Sequence, residues 1–224
     1  MIAATARLAR RAGLGAVLVA AAVGLAAEPT RCAQVLDRVL AWVNGEIVTW
    51  LDVRAAITFQ LVKREPDATD ERDVLDALID RALMLADAGR YAVREPDQEQ
   101  VDRRVEAIRA RFPTRLAFEA AVSGSGLTEG RLETFVRDSI RLEAHIEQRF
   151  AAAAQPTEDE VTRYYRQHQT EFTRGGSVPP LDRVRDEVTA RAAAERMAVL
   201  VSEWVGRLRQ RAEIRRAGDA VRRR

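Results

Sequence analysis

Hydrophobic and polar positions along the chain change period several times, and each change marks an element. Val39-Leu40-Ala41-Trp42-Val43 reads as a short strand. Asn44-Gly45 is a strong type I′ turn signal, because both turn positions need positive φ. Glu46-Ile47-Val48-Thr49 returns as a second strand. A lone hairpin is marginal in water, so this one must dock on something. From Asp52 the period becomes helical, with Val53, Ile57 and Leu61 on one face. A polar linker, Lys63 to Asp70 with Pro66, separates this from an amphipathic helix carrying Leu75, Leu78, Ile79, Ala82, Leu83 and Ala86 and stopping near Gly89. Asp97 with Gln100 forms a capping-box pattern. The helix it opens has the stripe Val101, Val105, Ile108, Phe112 and breaks at Pro113. A shorter helix spans about Leu116 to Val122, and Ser123-Gly124-Ser125-Gly126 reads as a loop.

Thr128 to about Phe150 is a long helix with Leu132, Phe135, Val136, Ile140, Ile146 and Phe150. Thr157 with Glu160 is a second capping box, opening a helix with Val161, Tyr164, Tyr165, His168 and Phe172 on one side. Thr173 to Pro180 is a break. A last long helix begins near Leu181 and carries Val184, Val188, Met197, Leu200, Trp204 and Leu208. Glu213-Ile214-Arg215 reads as a final short strand. No internal repeat is visible.

Composition narrows the fold class. In 224 residues, 47% are hydrophobic and 31% charged, which excludes disorder and collagen-like architecture. Aromatics at 5%, with 12 Gly and 7 Pro, argue against an all-β sandwich or barrel. Ala, Arg, Glu and Leu dominate and favour helices. One Cys and two His exclude an intrachain disulfide framework and Cys-based zinc sites.

The chain's beginning changes the reading of its charge. Arg7, Arg10 and Arg11 precede Ala12–Ala27, a run of 16 uncharged residues rich in Ala and Gly, with small residues at Gly24 and Ala26. This is the pattern of a secretory signal cleaved after Ala26 or Ala27. The competing reading is a membrane anchor, but a spanning helix needs about 20 apolar residues, so cleavage is preferred. Arg10-Arg11 lacks the context of twin-arginine export, and Pro29-Thr30-Arg31 does not supply a lipobox before Cys32, which reads as a free thiol. Without the leader the net charge falls from +2 to −1. The basic excess therefore belongs to the leader and the Arg222–Arg224 tail. Elsewhere Arg alternates with Asp and Glu as on solvated helical faces. No basic stripe with interleaved aromatics marks a nucleic-acid interface.

Candidate chemistry is sparse. There is no Gly-rich phosphate loop: Ser123–Gly126 follows no strand. His145 and His168 lie on separate helices and read as surface or half-buried positions rather than as bases or ligands. No Ser sits in a nucleophile elbow. Glu158 and Glu160 read as helix N-terminal charges favoured by the dipole, not as an acid–base pair. Tyr164, Tyr165 and the Phe residues fit core packing better than a peptide groove. The residues alone describe an exported, mainly α protein without a visible active site, which favours binding over catalysis.

Element order adds a resemblance. The run VLAWVNGEIVTWLDV, Val39 to Val53, resembles the start of the SurA family of periplasmic chaperones, with Asn44, Ile47, Thr49 and Asp52 at matching positions and Leu51 where the family more often has Ser. Leu75 to Gly89 resembles the family's next helix. Pro96 to Phe150 is similar in its helix–helix–loop–long helix order. Pro180-Leu181, Trp204, Leu208 and Ile214 resemble the closing helix and strand. One departure stands out: a parvulin-type prolyl isomerase domain of roughly 90–100 residues usually interrupts that family before the final helix. Here only eight residues separate Phe172 from Leu181.

The resemblance implies a SurA-like helical chaperone module, with a small β-sheet formed by the N-terminal hairpin and a C-terminal strand. The expected organisation is a signal peptide over 1–27, a flexible mature N-terminus over 28–38 and a SurA N-terminal-like chaperone domain over 39–172. A linker at 173–180 stands where a parvulin domain would be inserted. The long helix and strand over 181–216 complete the module, and 217–224 is a basic tail. The implied function is ATP-independent holdase activity in the periplasm on unfolded exported or outer-membrane proteins. The alternatives are a dedicated assembly subunit for one partner and, by family association only, a prolyl isomerase. No cofactor, metal, nucleic acid or stable membrane insertion is expected. Phe112, Leu116, Phe118 and Leu127, which flank Pro113 and the Ser123–Gly126 segment, are the candidate peptide-binding residues.

Overall fold

The computed structural model describes residues 37–62 and 71–217. The expected signal peptide, Cys32, the linker around Pro66 and the Arg222–Arg224 tail lie outside the described residues.

Strands β1 (Val39–Val43) and β2 (Glu46–Thr49) form the expected hairpin. Asn44 and Gly45 have φ of 50° and 90°, as a type I′ turn requires. The third strand, β3 (Ile214–Arg216), pairs antiparallel with β1, giving the sheet order β2-β1-β3. Asn44 joins the two ends of the chain: its N–H donates to the Glu213 carbonyl at 2.9 Å, and its Oδ1 accepts from the Glu213 N–H at 2.9 Å. The turn residue therefore also seats the C-terminal strand.

Seven α-helices complete the described residues: α1 (Trp50–Thr58), α2 (Glu71–Ala88), α3 (Gln98–Arg109), α4 (Arg115–Ser125), α5 (Glu129–Ala154), α6 (Glu158–Gln167) and α7 (Leu181–Arg211). The capping boxes Asp97/Gln100 and Thr157/Glu160 open α3 and α6 as their spacing predicts. A third box, Thr49/Asp52, starts α1 at Trp50, two residues before the expected start.

Several expectations fail in the helices. The helix opened by Thr157 ends at Gln167, so His168 caps it and Phe172 lies beyond it in a 3-10 turn, Gln169–Phe172. Ser123, Gly124 and Ser125 are not a loop; they are the last residues of α4. The Ser125 hydroxyl is buried and donates to the Val122 carbonyl at 2.9 Å, so the side chain satisfies itself inside the helix. Only Gly126, at φ 71°, leaves it, as a left-handed cap. A Cβ there would meet the Leu51 methyls at 3.0 Å, so Gly also permits the approach of α4 to α1. Ala86, expected on the apolar stripe of α2, is exposed; Asp87 and Ala88 are buried instead.

The core falls into three clusters. The largest lies under the sheet, where Val43 and Val48 meet Ile79 and Leu83 of α2, Phe150 of α5 and Trp204 of α7. The second joins α1, α3, α4 and α5 around Phe59, Val101, Phe118 and Leu132. The third is small, with Val161 and Phe172 against Val184 and Val188 at the start of α7. Helix α7, about 46 Å long at 1.5 Å per residue, runs from the third cluster to the first.

Candidate functional site

A cavity of about 280 Å³ opens between β2, α1, α2 and α5. Three consecutive β2 residues, Glu46, Ile47 and Val48, line it. Side chains of consecutive strand residues point to opposite faces, so the wall here is the edge of the strand rather than either face. Leu78, Leu85, Leu127 and Phe135 supply apolar lining.

Arg81 of α2 also lines the cavity and is only 9% exposed. Its guanidinium lies 3.7 Å above the Phe135 ring and donates one hydrogen bond, from Nη2 to the Phe135 carbonyl, at 2.8 Å. Arg81 makes no ion pair among the described residues. Burial lowers its pKa to about 10, against the opposing pull of Asp138, Glu46 and Glu143. Five guanidinium N–H groups with one direct acceptor leave donor capacity turned toward the cavity. In its lining Arg131 pairs with Asp52 at 3.1 Å, and Asp138 is paired with Arg141 at 3.4 Å, so these charges are already matched.

A second opening of about 340 Å³ lies between α6 and α7. Its lining includes Tyr164, Leu200 and the half-exposed Val199, with Glu160 and Arg196 paired to each other across it. Glu160 closes the capping box, and the Thr157 hydrogen bonds hold its carboxyl below the usual range. Glu160 thus serves the N-terminus of α6.

No protein-family model matches the chain, and no curated protein matches it in sequence. Among solved structures it is similar to one from work on the virulence factor PEB4 and the periplasmic protein Cj1289, two structurally related SurA-like chaperones of Campylobacter jejuni. The TM-score is 0.50 at 12% identity, over 80% of this chain and 98% of that one. The fold is SurA-like. At this identity the likeness carries the fold alone.

Within this SurA-like fold the four candidate peptide-binding residues do not share one surface. Phe118 is buried in the second cluster. Phe112 is half-buried, its ring 5.6 Å from Phe59 and 5.5 Å from Phe118, so both phenyl groups serve an aromatic core. Leu116 is 76% exposed on α4. Leu127 is half-buried and lines the β2 cavity.

The histidines also separate. His168 caps α6, stacks on Tyr164 at 4.1 Å and has Nδ1 3.0 Å from the Tyr164 carbonyl. His145 is not a surface or half-buried residue: it is 3% exposed between α5, α7 and Tyr91. Arg81 was missed in the sequence, although its position carries a signal. It falls three residues after Leu78 and four before Leu85, where an amphipathic stripe calls for an apolar residue.

Proposed function

We propose that this chain is an ATP-independent periplasmic holdase that captures unfolded exported proteins, outer-membrane proteins among them. The SurA-like fold carries this reading, and the Ala-rich leader behind three arginines supports export. The cavity beside a strand edge, with apolar and charged lining, suits an extended chain. Burying a client side chain contributes about 1.5–3 kcal/mol before ordering costs, which fits capture and release without nucleotide. The experiment is light scattering of a urea-unfolded outer-membrane β-barrel protein diluted with and without the purified chain. Scattering should fall without ATP. Unchanged scattering at tenfold excess of folded protein would sink the reading, and co-purification of a single protein would then favour a dedicated assembly subunit.

The same reading makes the chain non-catalytic toward proline. The barrier to isomerisation is about 18–20 kcal/mol, and the eight residues between Phe172 and Leu181 leave no room for a parvulin domain. In a protease-coupled assay, a proline-containing peptide should relax at its uncatalysed rate. Acceleration proportional to protein concentration would refute this.

A further inference from the structure

The hydrogen-bond direction along β1 decides what β2 offers to solvent. Asn44 donates to Glu213, and Leu40 accepts from Ala217, so the even-numbered residues of β1 turn their backbone groups toward β3. Ala41 and Val43 therefore face β2, where they oppose Val48 and Glu46. Ile47 stands opposite Trp42 in the intervening non-hydrogen-bonded pair. Its N–H and C=O point away from β1, to the open edge and the cavity. The next outward N–H along β2, that of Thr49, is already accepted by the Asp52 carboxylate at 2.9 Å. The free edge is thus one residue's donor and acceptor, closed off at one end by a capping box.

Resting on the chaperone reading above, we propose that an extended segment of an unfolded client docks antiparallel on β2 as a fourth strand. One client residue exchanges both backbone hydrogen bonds with Ile47. An apolar neighbour enters the cavity against Leu78, Leu127 and Phe135. Arg81, nine-tenths buried and with one hydrogen bond and no ion pair among the described residues, donates to client backbone carbonyls. Strand, cavity and guanidinium together ask for an occupant with alternating donors, acceptors and apolar groups, and an extended peptide supplies all three. The brevity of the edge keeps the contact weak, and the exposed Glu46 beside it opposes uncontrolled strand addition.

The test uses fluorescence anisotropy of a labelled, end-blocked peptide of about six alternating apolar and neutral polar residues, titrated with the purified chain. Ile47→Pro removes the outward N–H, with the Ile side chain, and leaves the β1 ladder bonds intact, as edge strands tolerate; it should weaken binding about tenfold. Methylating the peptide amide that faces Ile47 should do the same with the unaltered chain, so the test survives if Ile47→Pro does not fold. Arg81→Met should weaken binding several-fold while the melting temperature holds or rises, since a buried unpaired charge is removed; a purely structural Arg81 would lower the melting temperature. Unchanged affinity for the methylated peptide and in Arg81→Met overturns the proposal. So does concentration-dependent dimerisation that Ile47→Pro abolishes without any peptide binding, which would assign the edge to a second copy. Full aggregation suppression by both variants would defeat this docking site and leave the chaperone reading standing.

Discussion

His145 lies 5.1 Å from the Tyr91 ring and 5.6 Å from the Trp204 ring, and its Nε2 is buried without a hydrogen-bond partner. A neutral imidazole tolerates this aromatic setting; an imidazolium would turn the buried Nε2 into an unsatisfied donor and bury a charge. Burial is the main cause holding its pKa below the ordinary 6.5. The cation of Arg149 adds to that effect, and Asp87 opposes it. A group with a depressed folded pKa contributes its full stability above the unfolded value. That contribution is lost as pH falls from 6.5 toward the folded value. His145→Phe keeps a ring in the stack and removes the titration. Its urea midpoint should drop less between pH 7.5 and 5.5 than that of the unaltered chain. An equal drop in both would show that His145 is not the acid-sensitive group. Nothing in the sequence around His145 distinguishes it from a half-buried helical residue, because the rings that enclose it come from Tyr91 and Trp204, 54 and 59 residues away.

At the scale of elements, the hairpin shows which parts of a fold a sequence displays. Asn44-Gly45 announces its turn locally, and capping boxes announce α3 and α6. The second role of Asn44 is not local: its side-chain oxygen holds Glu213, 169 residues away. Replacing Asn44 by Gly keeps a residue able to adopt positive φ and removes only that acceptor. The expected loss is about 0.5–1 kcal/mol in urea unfolding, at the low end for an exposed bond. Removing residues from Ala212 onward takes away the whole β1–β3 ladder and the apolar contact of Ile214, and should cost about 2 kcal/mol or more. If the two variants unfold alike, β3 contributes no more than the one side-chain bond. The loop expected at Ser123–Gly126 fails for the converse reason. Ser and Gly propensities there are overridden by packing of α4, a tertiary effect that local composition does not carry.

For the whole molecule, the order of elements was legible because period, caps and turns are local signals, and that order is also what made the SurA-like likeness visible. The cavity was not legible, since its walls come from β2, α1, α2 and α5 and meet only after folding. The sequence also shows two glycine-rich breaks of similar appearance, and the structure makes them physically opposite. At 173–180 the chain turns back on itself: Arg174 and Ser177 exchange backbone hydrogen bonds at 3.0 and 3.2 Å, and Gly175 and Gly176 form the exposed tip with φ of 58° and 81°. The chain thus leaves and re-enters this point through adjacent residues. An insert tethered there by flexible linkers meets only loop-closure entropy, which grows by about 0.6 kcal/mol per doubling of length. At Gly126 the backbone lies against Leu51 beside the buried Ser125, and an insert must separate α4 from α1. A folded domain of roughly 90–100 residues inserted between Gly175 and Gly176 should therefore leave the module's melting temperature within a few degrees. The same domain inserted after Gly126 should lower it by more than about 8 °C, a loss of at least ~2 kcal/mol at the roughly 2–4 °C per kcal/mol of a domain this size. Thermal unfolding of both fusions with a Trp-free insert, followed by the fluorescence of Trp42, Trp50 and Trp204, decides the matter. Equal losses would mean that the tip at Gly175–Gly176 is not a tolerant junction, and that a SurA-like module does not accommodate an added domain there by geometry alone.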